Sequence, residues 1–401
     1  MRAPAVLRPL AHRDFALLWS GQTFSTVGNF VMQVALPWQV LQLTGSAVQV
    51  GVVVAMNIAA NVVFVLFGGV LVDRVPRRRV ILVSDFASGA VTSVIAILSA
   101  TGSLRIEHLY VAGALAGATG AFFLPAVTAI LPELVPPDVL VAGNALRAFS
   151  RQGGRLTGPV LGGLFIAIGG PALAFGFDAI TFFVSFLALV AMSPARGLMS
   201  ARRGFLSELR EGVDFVFSLP WIWVTIALFG VMNTFLIGAN AVGIPVLLRE
   251  VLAVGPTTFG LVYASQAIGE IAGGLVVGQM RVRRTGIIMY AFAALGGLAM
   301  FLLATEQLGA IVASAIVWGL SLVGFGVLWE TALQRHDPRE LMGRVSSVDW
   351  FGSIALGPLG PLMAAALVAT LGPAPLFVAA GIVNLVGCAV ALLVPSIRRL
   401  E

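Results

Sequence analysis

Runs of about twenty apolar residues recur along the whole chain, separated by short stretches of arginine, glycine and proline. A helix of that length crosses the hydrocarbon core of a bilayer, and it satisfies its own backbone hydrogen bonds where no water can. The runs therefore predict membrane-spanning helices, and twelve fall near 15–38, 48–72, 80–100, 109–131, 142–168, 173–193, 221–246, 257–279, 286–304, 308–330, 344–370 and 375–394. Composition points the same way. The chain is 59% hydrophobic and only 10% charged, against about a quarter charged for soluble domains. Polar groups are too few to cover a water-facing surface of this size. Arg2, Arg8 and Arg13 precede the first run, as in a signal peptide. Phe15 to Pro37 is too long for a cleaved apolar region and no small-residue cleavage site follows, so it is read as a retained first span.

The arginines set an orientation. With the N-terminus placed inside, twenty fall at the inner ends and loops, only Arg105 and Arg249 fall outside, and Arg151 and Arg155 lie within span five. That asymmetry is the positive-inside pattern, and it predicts a multi-pass protein of the cell membrane with both termini cytoplasmic. The basic balance thus reports topology; no basic patch on a soluble surface suggests nucleic acid.

Several chemistries are excluded. No lysine occurs, which removes a phosphate-binding Walker loop and a lysine Schiff base. Cys388 stands alone, so no intrachain disulfide forms. His12, His108 and His336 are scattered and lack metal-ligand spacing. No metal, cofactor or catalytic residues are expected, and an enzyme is the least favoured class.

The longest inner connection divides the chain into a six-helix bundle over 1–194, a linker over 195–220 and a second six-helix bundle over 221–401. In the linker, Leu206, Leu209, Val213 and Val216 have helical spacing, which predicts a short amphipathic helix at the membrane interface. The halves echo one another: "LPELVPPDVLVAGNAL" (131–146) corresponds to "LQRHDPRELMGRV" (333–345), and "GPVLGG" (158–163) to "GPLGPL" (357–362). Internal duplication of a six-helix unit is a mark of secondary transporters.

Two motifs carry a family resemblance. "GGVLVDRVPRRRV" (68–80) resembles the G-x-L-x-D-R-x-G-R-R signature of the major facilitator superfamily, with Gly69, Asp73, Arg74, Arg77 and Arg78 in place and Pro76 where glycine is usual. The resemblance implies that the loop arginine pairs with an acid at the end of span four, here Glu133, and that Asp73 faces span eleven, where Asp349 lies near the inner end. "GRLTGPVLGG" (154–163) resembles the G-x-x-x-G-P-x-x-G pattern of superfamily antiporters, with Gly154, Gly158, Pro159 and Gly162. Physically, those glycines form a stripe that admits a neighbouring helix, and the proline bends the rod. Further stretches, among them "RDFALLWSGQTFSTVGNF" (13–30) and "FGFDAITFFVSF" (175–186), resemble the enterobactin-exporter and macrolide-efflux-like branch. The fold class implied is all-α, with twelve transmembrane helices in two pseudo-symmetric six-helix bundles. In that branch span one often carries an aspartate where this chain has Asn29, which cannot titrate.

The intramembrane charges are the candidate coupling groups. Glu270 lies about ten residues, roughly 15 Å, from the inner end of span eight. The resemblance brings span eight against span five, where Arg155 lies at similar depth and Arg151 one turn away. A Glu270–Arg155 pair (Arg151 as second choice), made in one access state and relieved by protonation in the other, would couple protons to transport. Asp178 is a candidate for substrate contact or structural hydrogen bonding. Asp85 and Asp349 are expected to pair with loop arginines. Candidate cavity residues are Gln22, Asn29, Gln33, Phe123, Asn233 and Gln266.

The expected function is proton-coupled export of small amphipathic compounds by alternating access, with a bilayer, a small-molecule cargo and protons as partners and a monomer as the working unit. Two alternatives stay open: a facilitator or symporter for metabolite uptake, and a membrane receptor or scaffold without transport.

Overall fold

The computed structural model describes residues 5–193, 205–336 and 341–400, with the backbone alone at 5, 66–74, 205–209 and 343. The described residues are overwhelmingly helical and include no strand. Among the described residues, ten helices are long and apolar enough to cross a membrane. One of them, Pro137–Val190, carries two spans, because Gly170 (φ 70, ψ 178) breaks the helical geometry just before Pro171. The helix Arg13–Thr44 is a further span of 32 residues. It falls outside the ten because Gln22, Thr23, Ser25, Thr26, Asn29 and Gln33 dilute its apolar character. Ten, plus the second arm of the bent helix, plus this one, is consistent with twelve.

Span two is Ala47–Arg74, span three Arg77–Ala100 and span four Ile106–Leu134. Spans five and six are the two arms, 140–169 and 171–190, of the helix Leu140–Val190. The linker forms the helix Phe205–Ser218, with Val216 buried and Arg210, Glu211 and Asp214 exposed. The side chains of Leu206 and Leu209 lie outside the described residues. Span seven runs Pro220–Val251 and contains two π-helical turns, Ala239–Gly243 and Leu247–Val251. Spans eight to ten are Pro256–Gln279, Thr285–Leu303 and Leu308–His336. Span eleven is broken between Met342–Ile354 and Leu359–Leu371, around Pro358, and span twelve is Pro373–Leu393.

Contacts divide the chain into two compact units: 1–44, 56–201 and 255–264 form one, and 45–55, 202–254 and 265–401 the other. In the first, span one lies along both arms of the bent helix. Its Gly21 takes the backbone of Ser185, so an added Cβ would sit 2.9 Å from that residue's Cα. Gly28 likewise leaves room for Asp178 and Thr181. From the other side, the stripe Gly154, Gly158 and Gly162 faces span one at Thr26, at Val27 and Phe30, and at Val31. One residue further round, Pro159 and Gly163 receive Gly260 and Pro256 of the 255–264 segment. Small residues allow these backbones to touch, which in lipid replaces the hydrophobic driving force that water would supply. Spans three, four and six close the unit around a core that includes Ile81, Ala126, Ile130 and Leu189.

The second unit uses the same device. Gly230 and Gly238 of span seven meet the backbone of Gly352 and Gly360 in span eleven, and Gly269 and Gly273 of span eight meet Ile316 and Leu320 of span ten. A column of aromatic rings runs through it: Trp221 packs edge-on to Trp329 (5.5 Å), and Phe325 stacks on Phe229 (4.2 Å). Glu211 of the linker helix pairs with Arg344 at the start of span eleven.

Candidate functional site

Span one carries polar residues along its length, and in the first unit its N-terminal half, Phe15 to Thr26, borders a cavity of about 440 Å³. The walls come from three places in the sequence. Phe15, Leu18, Trp19, Gln22, Thr23 and Thr26 of span one form one side; Phe123, Leu124 and Val127 of span four form another. The first turns of span five contribute Asn144, Arg147, Ala148, Ser150, Arg151 and Gln152. The helix dictates these groupings, since positions three and four apart share a face. Thr23 and Ser150 join spans one and five across the wall, with their hydroxyl oxygens 2.7 Å apart. Trp19 donates from Nε1 to the carbonyl of Leu146 at 3.2 Å, which fixes its ring.

Behind Gln22 lies a buried polar network. The Gln22 amide donates to Ser185 Oγ at 2.8 Å, and Ser185 donates to Asp85 Oδ2 at 2.6 Å. Gln22 is also 3.5 Å from the same carboxylate oxygen. Asp85 is 1% exposed and, among the described residues, its Oδ1 has no hydrogen-bond partner. The expectation of arginine partners for Asp85 and Asp349 is therefore corrected. Asp349 accepts instead from Trp329 Nε1 at 2.9 Å and from Ser353 Oγ at 3.2 Å. In both cases the helix end carries its arginines to other carbonyls and acids, leaving neutral donors to meet the buried carboxylate.

The motif arginines have well-defined targets. Arg77 contacts Glu133 and donates to the carbonyl of Ala129 at 3.2 Å. Arg78 donates to the carbonyls of Leu189 and Val190, at 2.8 and 3.0 Å, where the helix leaves its last carbonyls without intrahelical donors. Gly69, Asp73 and Arg74 sit in the last turns of span two, and their side chains lie outside the described residues.

The other sequence candidates belong to both units. Gln22 and Phe123 line the cavity, together with Arg151. Asn29 and Gln33 are exposed positions further along span one and outside the lining, and Asn29 donates to its own helix at the Ser25 carbonyl (3.0 Å). Asn233 donates to the carbonyl of Ser353 beside the break in span eleven at 3.1 Å. Glu270 is 3% exposed and accepts from Gln266 at 2.9 Å, one turn earlier on the same helix. Asp178 is 1% exposed with an unpartnered Oδ1. The Arg155 guanidinium lies over the ring of Phe30, 5.5 Å from its centroid.

Sequence reasoning missed Ser185, Trp19, Asn144 and the role of Arg147 in the wall. Arg147 was counted with the positive-inside charges; the structure places it seven residues into the helix. The spacing of Arg147 and Arg151, one turn apart, was the available signal. Ser185 carried none, because a serine in an apolar run reads as ordinary packing.

The Major Facilitator Superfamily family model matches residues 18–353. The enterobactin exporter EntS of Citrobacter koseri is 28% identical over 370 residues, covering 88% of this chain and 86% of that relative. EntS of Shigella dysenteriae serotype 1 is 27% identical over 368 residues, again covering 88% and 86%. Among solved structures, the nucleoside transporter NupG superposes with a TM-score of 0.76 at 12% identity, covering 95% of this chain and 98% of its own. A bacterial homologue of the iron transporter ferroportin, solved in an inward-facing state, gives 0.71 at 16% identity over 95% and 97%. At such identities the structural likeness shows the fold alone.

Proposed function

This chain belongs to the Major Facilitator Superfamily, a multi-pass membrane transporter and not an enzyme, and we propose that it exports small amphipathic compounds across the bacterial inner membrane by proton-coupled alternating access between its halves. The observation that carries the reading is the cavity between spans one, four and five: about 440 Å³, within the usual range of small-molecule sites, roughly 300–1,000 Å³. Aromatic and aliphatic walls suit the body of an amphipathic compound, and Gln22, Asn144 and the hydroxyls supply orienting groups. The named activity of the EntS relatives supports the outward direction. The distribution of arginines supports cytoplasmic termini. The working unit proposed is a monomer in the bilayer, with cargo and protons as its partners.

Proton coupling is assigned to Glu270, with Arg155 and Arg151 as the basic members of the set and Asp178 as a second buried acid. Burial of an ionisable group within a span is costly and marks function more often than packing. Span one offers only the amide of Asn29 in the region where a titratable group would be useful. The Arg77–Glu133 contact, with Gly69, Asp73, Arg74, Arg78 and Asp349, is proposed to hold the cytoplasmic side until the halves rearrange. Purified protein in vesicles with an imposed pH gradient, given a panel of macrolide, siderophore and dye substrates, tests the reading. Gradient-dependent efflux lost in Glu270→Gln supports it. Gradient-independent equilibration would sink the coupling, and full pH-driven transport by Glu270→Gln would reassign the carboxylate.

A further inference from the structure

We propose that the cavity binds the acidic head of an amphipathic compound between Arg147 and Arg151. This deepens the export reading by naming the substrate class, and it rests on the cavity being where cargo is held. Both side chains line the cavity and stand four residues apart on one helix face. Among the described residues, neither guanidinium has a hydrogen-bond or ion-pair partner. Three other arginines of this unit have partners: Arg77 in Glu133, Arg78 in two helix-end carbonyls, Arg13 in Asp14 and the carbonyl of Ala191. Arg147 and Arg151 lie seven and eleven residues into the helix that begins at Leu140, roughly 10 and 16 Å along its axis. Arg147 is half-buried and Arg151 is exposed on the cavity side, and an arginine within a span characteristically faces a polar cavity or a ligand.

The rest of the wall defines the ligand. Among the described residues, no acid lines the cavity. Asp85, a carboxylate connected to the site, is withdrawn behind Gln22 and Ser185. The remaining ionisable groups on the elements packed there are engaged elsewhere or lie outside the lining: Glu133 is paired with Arg77, Arg155 stacks on Phe30, and Asp178 faces Gly28. Two like charges with no internal counter-ion favour a carboxylate, sulfonate or phosphate that bridges both forks, since guanidinium groups match such anions bidentately. Trp19 and Phe123 then take the apolar body. The anion could belong to a soluble amphipath or to a lipid headgroup; the chemistry recognised is the same.

The test is equilibrium binding of 2-naphthoate and of its neutral counterpart, 2-naphthamide, to the full chain in phosphatidylcholine nanodiscs. The acid is expected to bind saturably and at least about tenfold more tightly than the amide, the size of effect expected for a hydrogen bond to a charged group. Arg151→Gln and Arg147→Gln are expected to bring the acid down to the level of the amide, whereas Arg151→Lys, which keeps the charge but not the fork, keeps only part of the preference. Equal binding of the two probes, no saturable binding of the acid at millimolar concentration, or an unchanged preference in both glutamine variants would overturn the assignment. The comparison of probes on the unaltered chain needs no variant to fold. Repeating it in phosphatidylglycerol nanodiscs separates the two sources. Competitive loss of naphthoate binding that disappears in Arg151→Gln identifies a headgroup as occupant, and unchanged binding identifies a soluble compound. No gradient enters the measurement. Equal binding of both probes alongside pH-driven efflux of neutral or cationic cargo would remove this site and leave export standing.

Discussion

Replacing Gly158 by alanine puts a methyl group where span one has no room. A Cβ there would overlap the Cβ of Phe30, lie 2.9 Å from the carbonyl oxygen of Val27 and 3.1 Å from the carbonyl carbon of Phe30. Ordinary carbon contacts sit near 3.5–4.0 Å, so the two helices must separate locally by roughly 1 Å. The atoms in the way are mostly backbone, and no rotamer change relieves them. Overpacking of this kind costs about 1–3 kcal/mol. Alanine also gains up to about 1 kcal/mol over glycine from helix propensity, which blurs the sign of a single measurement. Gly153, five residues earlier on the same helix, provides the internal reference because nothing lies within 4 Å of its added Cβ.

The propensity gain is shared, so it cancels in the difference between the two variants. Gly158→Ala is expected to be less stable than Gly153→Ala by about 1–3 kcal/mol. In thermal unfolding of the detergent-solubilised protein, that difference corresponds to a midpoint lower by roughly 1–4 °C, at about 1.2 °C per kcal/mol for a chain of 401 residues. Spans one and five also form two walls of the cavity, so the same displacement should weaken binding there. Coincident melting of the two variants would refute the claim that the span one–span five seam is packed backbone to backbone.

Four further outcomes follow from contacts in the two units. Ser185→Ala removes the donor to Asp85 and the acceptor for Gln22; it is expected to cost about 1–3 kcal/mol, and clearly less in an Asp85→Asn background, in chemical unfolding. Arg77→Ala strands Glu133, whose side chain is 10% exposed; a loss of about 1–3 kcal/mol is expected, partly recovered by adding Glu133→Gln. Trp329→Phe keeps the ring in the aromatic column but withdraws the indole donor from Asp349. A loss of about 1–2 kcal/mol by the same measurement is expected. By contrast, Glu211→Gln at the linker helix, where the acid is 57% exposed, should change the unfolding free energy by less than about 1 kcal/mol in the same measurement.

The spans were legible because lipid imposes one rule on every segment that crosses it: close the backbone hydrogen bonds and cover them with apolar side chains. That rule acts locally, so a window of sequence reveals it. Gly170 followed by Pro171 was legible for the same reason, since a positive φ before proline ends a helix wherever the chain goes next. Gly154, Gly158 and Gly162 announced a close approach without naming the partner. Span one could not be deduced from the stripe, because a missing side chain records only that something comes near.

The cavity is a different kind of object. Its walls belong to positions 15–26, 123–127 and 144–152, and no property of any one of these stretches marks a void between them. What the sequence did hold was an anomaly of placement: polar residues spaced along span one, and two arginines a turn apart inside a helix. Each had an innocent reading, as interhelix glue and as topology-setting charge. The structure separates the cases by partners. Thr23 finds Ser150 and Gln22 finds Ser185, so those are glue at least in part. Arg147 and Arg151 face the cavity with no acid beside them among the described residues, and two positive charges held together on a cavity wall are explained more simply by an anion that comes and goes than by topology, which the arginines at the helix ends already provide.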